Sequence, residues 1–285
     1  MNKPIHFLKP APEETWLTTT DGLKLFTHSH LPKIIKGHLC VIHGLSEHSG
    51  RYTHLIEYFL PLGYAVHLMD QRGFGRSQGL RGHVDRYVQY LDDLNGFIKH
   101  VQNKFSHGKT FLIGHSLGGV IASAFAMTHD SHLEGIILSA PGLRIRNFHR
   151  SLYGVVKILN WFKPNLQLRH TLRYRHLSHD PSVGKAYIQD PLVHPFITPR
   201  FFLEFNHMLS FVHRNPHRLH LPCLILCPTG DRIVNPQGSI EFYQNLKNPL
   251  NTLITYPGFF HEIFSEVRKE QVFSDVKSWL ETVKK

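Results

Sequence analysis

Short apolar runs rich in β-branched residues alternate along this chain with longer stretches whose apolar residues recur at helical spacing, and that alternation constrains the fold more than any other feature. "HLCVIHG", "YAVHLMD", "TFLIGHS", "GIILSAP", "PCLILCP" and "NTLITYP" read as six strands. A hairpin of "TWLTTT" and "LKLFTHSHL", turned at Asp21-Gly22, precedes them. Between the first two of the six, Tyr52, Leu55, Ile56, Phe59 and Leu60 share a helical face. Val84, Tyr87, Val88, Leu91, Leu94, Ile98 and Val101 make a second such face, and Phe273, Val276, Leu280 and Val283 the last. The expected fold class is α/β, with a mostly parallel eight-stranded sheet flanked by helices.

One region breaks the rhythm. Roughly 80 residues separate "GIILSAP" from "PCLILCP", far more than one crossover requires. Residues 144–200 hold ten Lys or Arg against two Asp, so a local net charge of +8 supplies most of the chain's +11. We expect a helical cap inserted at 144–200, lying over the carboxyl edge of a sheet formed by residues 1–143 and 201–285. "SLYGVVKILNWF", residues 151–162, is apolar apart from a narrow stripe of Gly154, Lys157 and Asn160. Such a helix is either buried against protein or dips into a lipid interface.

Composition excludes several classes. With 41% hydrophobic and 19% charged residues over 285 positions, the chain can build a sizeable core. No run approaches the ~18 apolar residues of a membrane span. The N-terminal "MNKPIHFLKPAPEE" lacks the apolar segment of a secretory signal, so a cytoplasmic protein is expected, with peripheral contact to anionic membrane through the basic cap. Cys40, Cys223 and Cys227 lie in strand runs without a CxxC pair and read as reduced, buried thiols. "HGLSEH" sets Glu47 one residue too late for an HxxEH site, and no metal or cofactor is expected. The basic excess has no supporting motif and little interleaved aromatic patterning, which argues against nucleic acid.

The chemistry centres on "FLIGHSLGGV". Ser116 stands between a strand and a small-residue helix, the setting of a nucleophile elbow, in which Gly114 and Gly118 are needed because a Cβ at either would collide with the neighbouring strand or helix. A serine hydroxyl needs a base, and the base a carboxylate. Asp231 falls in the loop after "PCLILCP", and His261 in the loop after "NTLITYP"; one helix and one strand between them put both on the same edge as Ser116. Oxyanion stabilisation should come from the backbone amides of Leu117 and Leu45, the latter in a loop that His43 braces.

"HGLSEHSGRY", "LMDQRGFGRSQGLRGHV", "GHSLGG", "DPLVH", "GDRIV" and "YPGFFHEIFSE", in this order, resemble the monoacylglycerol lipase and lysophospholipase family of α/β-hydrolases. The resemblance implies Ser116, Asp231 and His261 as a triad, Leu45 and Leu117 as oxyanion-hole amides, and a mobile amphipathic cap admitting single-chain lipid esters. It also departs from the family's pattern. Ser46 stands where a glycine is usual and is expected to stiffen or reshape the oxyanion loop; Phe74 stands where a histidine is usual and is expected to affect packing only. The function expected is carboxylester hydrolysis of monoacylglycerol or a similar lipid through an acyl-enzyme. Lysophospholipid is the near alternative, and a thioesterase or peptidase would use the same triad. A catalytically silent member that binds lipid or a partner is the reading from a different class.

Overall fold

The computed structural model describes residues 11–105, 108–129, 133–146, 150–170 and 172–283. Residues 1–10, with most of the N-terminal stretch read above, lie outside that set, as do residues 147–149 and 171 of the inserted region. The first elements are β1 (Glu13–Thr18) and β2 (Lys24–His30), an antiparallel pair turned at Gly22. There follow β3 (Gly37–Ile42), α1 (Thr53–Phe59), β4 (Tyr64–Met69), α2 (Val88–Lys104), β5 (Lys109–His115), α3 (Leu117–Ala126) and β6 (Gly135–Ser139). Next come α4 (Arg150–Phe162), β7 (Leu168–Arg169), α5 (Pro181–Gln189), β8 (Phe196–Ile197) and α6 (Pro199–Arg214). The last are β9 (Cys223–Pro228), α7 (Gln237–Gln244), β10 (Thr252–Tyr256) and α8 (Lys269–Val283).

Eight strands make one sheet in the order β1-β2-β4-β3-β5-β6-β9-β10. Only the pairings of β1 with β2 and of β2 with β4 are antiparallel. Period-two alternation divides each central strand between two cores. Cys40 and Ile42 of β3, Ile136 and Leu138 of β6, and Cys223 and Ile225 of β9 face α2, α3 and α6. Leu39, Val41, Ile137, Leu224 and Leu226 face α1 and α8 on the opposite side. Both faces are covered, which is why these strands read as unbroken apolar runs. All three cysteines are free and buried, and burial pushes the Cys227 thiol up to about 11.

The helical spacing beginning at Val84 predicts an earlier start for α2 than Val88. Val84 is buried, but the Arg86 amide donates to the Gln89 side chain and the Tyr87 amide to Glu204 of α6. A tertiary carboxylate therefore satisfies the start of this helix in place of a further turn. The inserted region carries α4, α5 and a two-residue antiparallel ladder of β7 and β8. From it α6 runs past residue 200 and touches both α4 and α3. Among the described residues no helix is long and apolar enough to cross a membrane.

Phe59 shows how the second core closes: fully buried, it meets Tyr58, Tyr64 and Phe273 edge-on. Phe59→Ala should lower unfolding free energy by about 3–5 kcal/mol in urea titration, with the specific activity of the folded fraction preserved.

Candidate active site

The parallel strands β3, β5, β9 and β10 end on one edge, and the loops that leave them carry Leu45, Ser116, Asp231 and His261. Ser116 occupies a left-handed turn, φ 52° and ψ −113°, between β5 and α3. Glycine alone fits beside it. A Cβ on Gly114 would lie 2.3 Å from the Gly118 carbonyl oxygen, and one on Gly118 would lie 2.5 Å from that of Ile42. Three backbone amides, from Gly119, Val120 and Gly142, donate to the Ser116 carbonyl, and the Ser116 amide donates to Ser139. The turn is thus held on every side while its hydroxyl stays open to a cavity.

The Ser116 Oγ lies 2.9 Å from His261 Nε2, and His261 Nδ1 lies 2.6 Å from Asp231 Oδ2. The other Asp231 oxygen, Oδ1, accepts from the amides of Ile233 and Val234 at 2.7 and 2.9 Å. With its anionic partner on Nδ1, His261 carries its proton there and presents a lone pair on Nε2 to the serine. Burial works against charge on both partners, yet their mutual attraction outweighs it. The Asp231 carboxyl is held below the usual range and the His261 imidazole above it.

The Leu117 amide opens α3 and so has no acceptor within its own helix. Leu45 lies on the loop after β3, where Gly44 lets the backbone approach: a Cβ there would be 3.1 Å from that of Ser116. His43 is buried and braces this loop, donating from Nδ1 to the Gly44 carbonyl and accepting the Gln71 amide on Nε2. Phe74 is buried against His43 and stacks on His194 from the inserted region.

These loops frame a cavity of about 710 Å³ whose lining includes Gly44, Leu45, Ser116, Leu117 and His261. Its apolar wall comes from Leu143 and Ile145, from Phe201, Phe202, Phe205 and Leu209 of α6, and from Ile233 and Val234. Arg144, Arg146, Arg173 and Arg232 also line it.

Four side chains set close by received no role at the site from the sequence. Arg51 grips both oxygens of Glu262 at 2.7 Å and lies 3.4 Å from Glu47, which accepts from the Gly44 amide and the Tyr52 hydroxyl. Glu47, Arg51 and Tyr52 were visible in "HGLSEHSGRY", and Glu262 follows His261. Their signal was a buried ion-pair set within a quoted motif.

A family model described as "Serine aminopeptidase, S33" matches residues 33–268. The rat monoglyceride lipase is 30% identical over 270 residues, which cover 93% of this chain and 89% of that protein. A solved structure of the monoacylglycerol lipase of Paleococcus ferrophilus superposes with a TM-score of 0.83 at 31% identity, covering 91% of this chain and 99% of the other. This chain is an α/β-hydrolase of the monoacylglycerol lipase family. Family membership makes it a carboxylic ester hydrolase. The uncharacterized protein YnbC of Escherichia coli K12 is 26% identical, and the chain spans about half, 47%, of its length.

A base at His261 must be neutral to accept a proton, and its pKa is raised, so kcat/KM should be full at alkaline pH and fall as pH drops through a value above the ordinary histidine pKa of about 6.5. Asp231→Asn should shift that limb downward and lower kcat by about 10⁴-fold, as a pH–rate series on both proteins will read.

Proposed function

We propose that this hydrolase cleaves single-chain lipid esters, monoacylglycerol foremost, by an acyl-enzyme route through Ser116, His261 and Asp231. The observation that carries the reading is the continuous hydrogen-bonded chain from Asp231 through His261 to Ser116, ending at a cavity with a long apolar wall. In the first step Ser116 Oγ bonds to the ester carbonyl carbon while its proton passes to His261 Nε2. The oxyanion is met by the amides of Leu45 and Leu117, and Asp231 stabilises the imidazolium. Collapse breaks the bond to the alcohol, which leaves with the proton from His261. Water then repeats the sequence on the acyl-enzyme and releases the fatty acid.

The apolar wall suits one acyl chain. An aminopeptidase reading is less well supported, because an α-ammonium group would meet four lining arginines, while the lining acids Glu47 and Glu262 both engage Arg51. The same arginines favour a second reading, a lysophospholipid whose phosphate they would bind. A fluorophosphonate probe should label the wild-type protein and not Ser116→Ala; labelling of the variant would remove Ser116 as nucleophile. Turnover of monoacylglycerols against lysophosphatidylcholines of graded chain length then decides the head group, faster lysophospholipid hydrolysis favouring the second reading.

On this reading residues 144–200 act as a cap on a core of residues 1–143 and 201–285. Of the two placements open to the helix at 151–162, exposure favours the lipid interface: Val156 is buried, but Val155, Ile158, Trp161 and Phe162 of α4 are 61–84% exposed. Lys157 and Lys163 lie exposed beside that face. Burying the apolar side chains in a membrane is favourable by about 25 cal/mol per Å², and each basic residue near an anionic surface adds about 1 kcal/mol. Substituting serine at both Ile158 and Trp161 should weaken sedimentation with anionic vesicles by about tenfold or more, while hydrolysis of a soluble short-chain ester is unchanged.

A further inference from the structure

Ser46 departs from the glycine expected at its position, and its surroundings give that departure a consequence. Its backbone is left-handed, φ 57°, a conformation that residues with a Cβ seldom adopt. The side chain is fully buried, and its Oγ lies 2.6 Å from Nε2 of His170, 124 residues along the chain in the inserted region. Ser46 directly follows Leu45, whose amide the proposed mechanism assigns to the oxyanion.

His170 is itself firmly placed. It follows β7, and its amide donates to the Pro195 carbonyl at 2.9 Å, extending the ladder with β8. That ladder is tied to the sheet domain at three points. The His194 ring bonds to the Gly73 carbonyl, the Thr198 amide donates to Gly82, and the Thr198 hydroxyl bonds to His83. A Cβ on Gly82 would lie 1.8 Å from the Phe196 carbonyl oxygen, so strand and loop are in close contact. Burial, with His194 and Arg169 nearby, holds the His170 imidazole down to about 4, so the ring is neutral at ordinary pH and its bond to Ser46 persists.

The loop from Gly44 to His48 is thereby held from two sides. On the inner side Glu47 accepts the Gly44 amide; on the outer side His170 holds Ser46, and His48 Nε2 lies 2.8 Å from Asp190 Oδ2. The Leu45 N–H belongs to the Gly44–Leu45 peptide, whose carbonyl accepts from His43, while the next peptide, Leu45–Ser46, ends at the residue that His170 holds. Leu45 is thus anchored through both of its neighbours, and the anchor on its C-terminal side is a side chain of the inserted region.

We infer that the Ser46–His170 hydrogen bond is a latch by which the inserted region orients the Leu45 amide, with His170 as a positioning residue for the oxyanion hole. The inference rests on the triad reading given above. A displaced rather than deleted oxyanion donor should cost about tenfold in kcat, less than the 10²–10³ of outright removal.

The test uses the full chain with a soluble short-chain p-nitrophenyl ester, on Ser46→Ala, His170→Ala and the double variant. Each single variant should lower kcat about tenfold with KM within about twofold, and the double variant should lose no more than either alone. The acid limb of kcat/KM should not move, which separates the latch from damage to His261. His170→Gln, whose amide reaches a similar point, should recover part of the rate. Should Ser46→Ala fail to fold, Ser46→Gly relieves the left-handed strain and keeps the question open to measurement: it should fold and still lose rate. A folded Ser46→Gly or His170→Ala protein at wild-type kcat overturns the latch, as do additive losses. So does a KM that rises with acyl length in His170→Ala, which would make His170 a substrate contact. Ser116→Ala, run alongside, distinguishes the failures: if it retains turnover the triad reading falls too, and if it is inactive only the latch is lost.

Discussion

The backbone at Ser116 is the constraint on which the neighbouring structure depends. A left-handed serine costs of order 1–3 kcal/mol and persists only where its surroundings over-determine it. Here they do so through packing and hydrogen bonding together. The Gly118 backbone comes within van der Waals reach of β3, Gly119 lies against Pro141, and four backbone hydrogen bonds clamp the serine itself. Ala140, on the loop beside it, is also left-handed, φ 42°. The sharp turn thus requires small residues on three chain segments, and it leaves one hydroxyl standing above the sheet edge.

The loop bearing His261 is ordered differently. Its backbone pairs with the inserted region: the Glu262 amide donates to Leu177 at 2.7 Å and the His261 amide to His176. Farther along, His179 stacks on Phe260 and bonds to Glu266, whose carboxylate also accepts the Phe260 amide. The segment between β6 and β9 therefore does more than line the cavity. It supplies hydrogen-bond partners to the His261 loop and to the loop after β3, so a displacement of the insertion would be felt at both.

Much of this was legible in the sequence, for identifiable reasons. Strands buried on two faces announce themselves as apolar runs, and all six runs form strands of the sheet. Ser116, Asp231 and His261 were readable because each follows such a run at short distance, and the structure brings the three side chains within hydrogen-bond reach. What escaped depended on contacts between distant residues. Glu204 meets the start of α2 from 117 positions away. The pairing of β7 with β8 is two residues long and leaves no periodicity to detect. The partner of Ser46 was one histidine among 24. For α4, composition fixed an amphipathic helix but not which side faces out; that depends on where α6 packs.

The buried charges beside Ser116 extend the same logic. Two carboxylates and one guanidinium removed from water would be destabilising unless nearly every polar atom found a partner. Arg51 binds Glu262 with two hydrogen bonds and lies near Glu47, while its guanidinium carbon sits 4.8 Å from the centre of the Tyr187 ring of α5. Glu47 in turn spends one oxygen on Gly44 and Tyr52. Two like charges on one cation do not titrate alike. Burial drives the Glu262 carboxyl upward beyond what Arg51 recovers, whereas for Glu47 the same burial is outweighed by His115, Arg51 and His43, and its carboxyl stays below the usual range. The carboxylate whose pKa is lowered is the one that accepts the Gly44 amide on the loop after β3. Arg51 thus joins that loop, the residue after His261 and a helix of the insertion at one buried point, so the geometry around Ser116 is fixed by electrostatics on one side and by packing on the other.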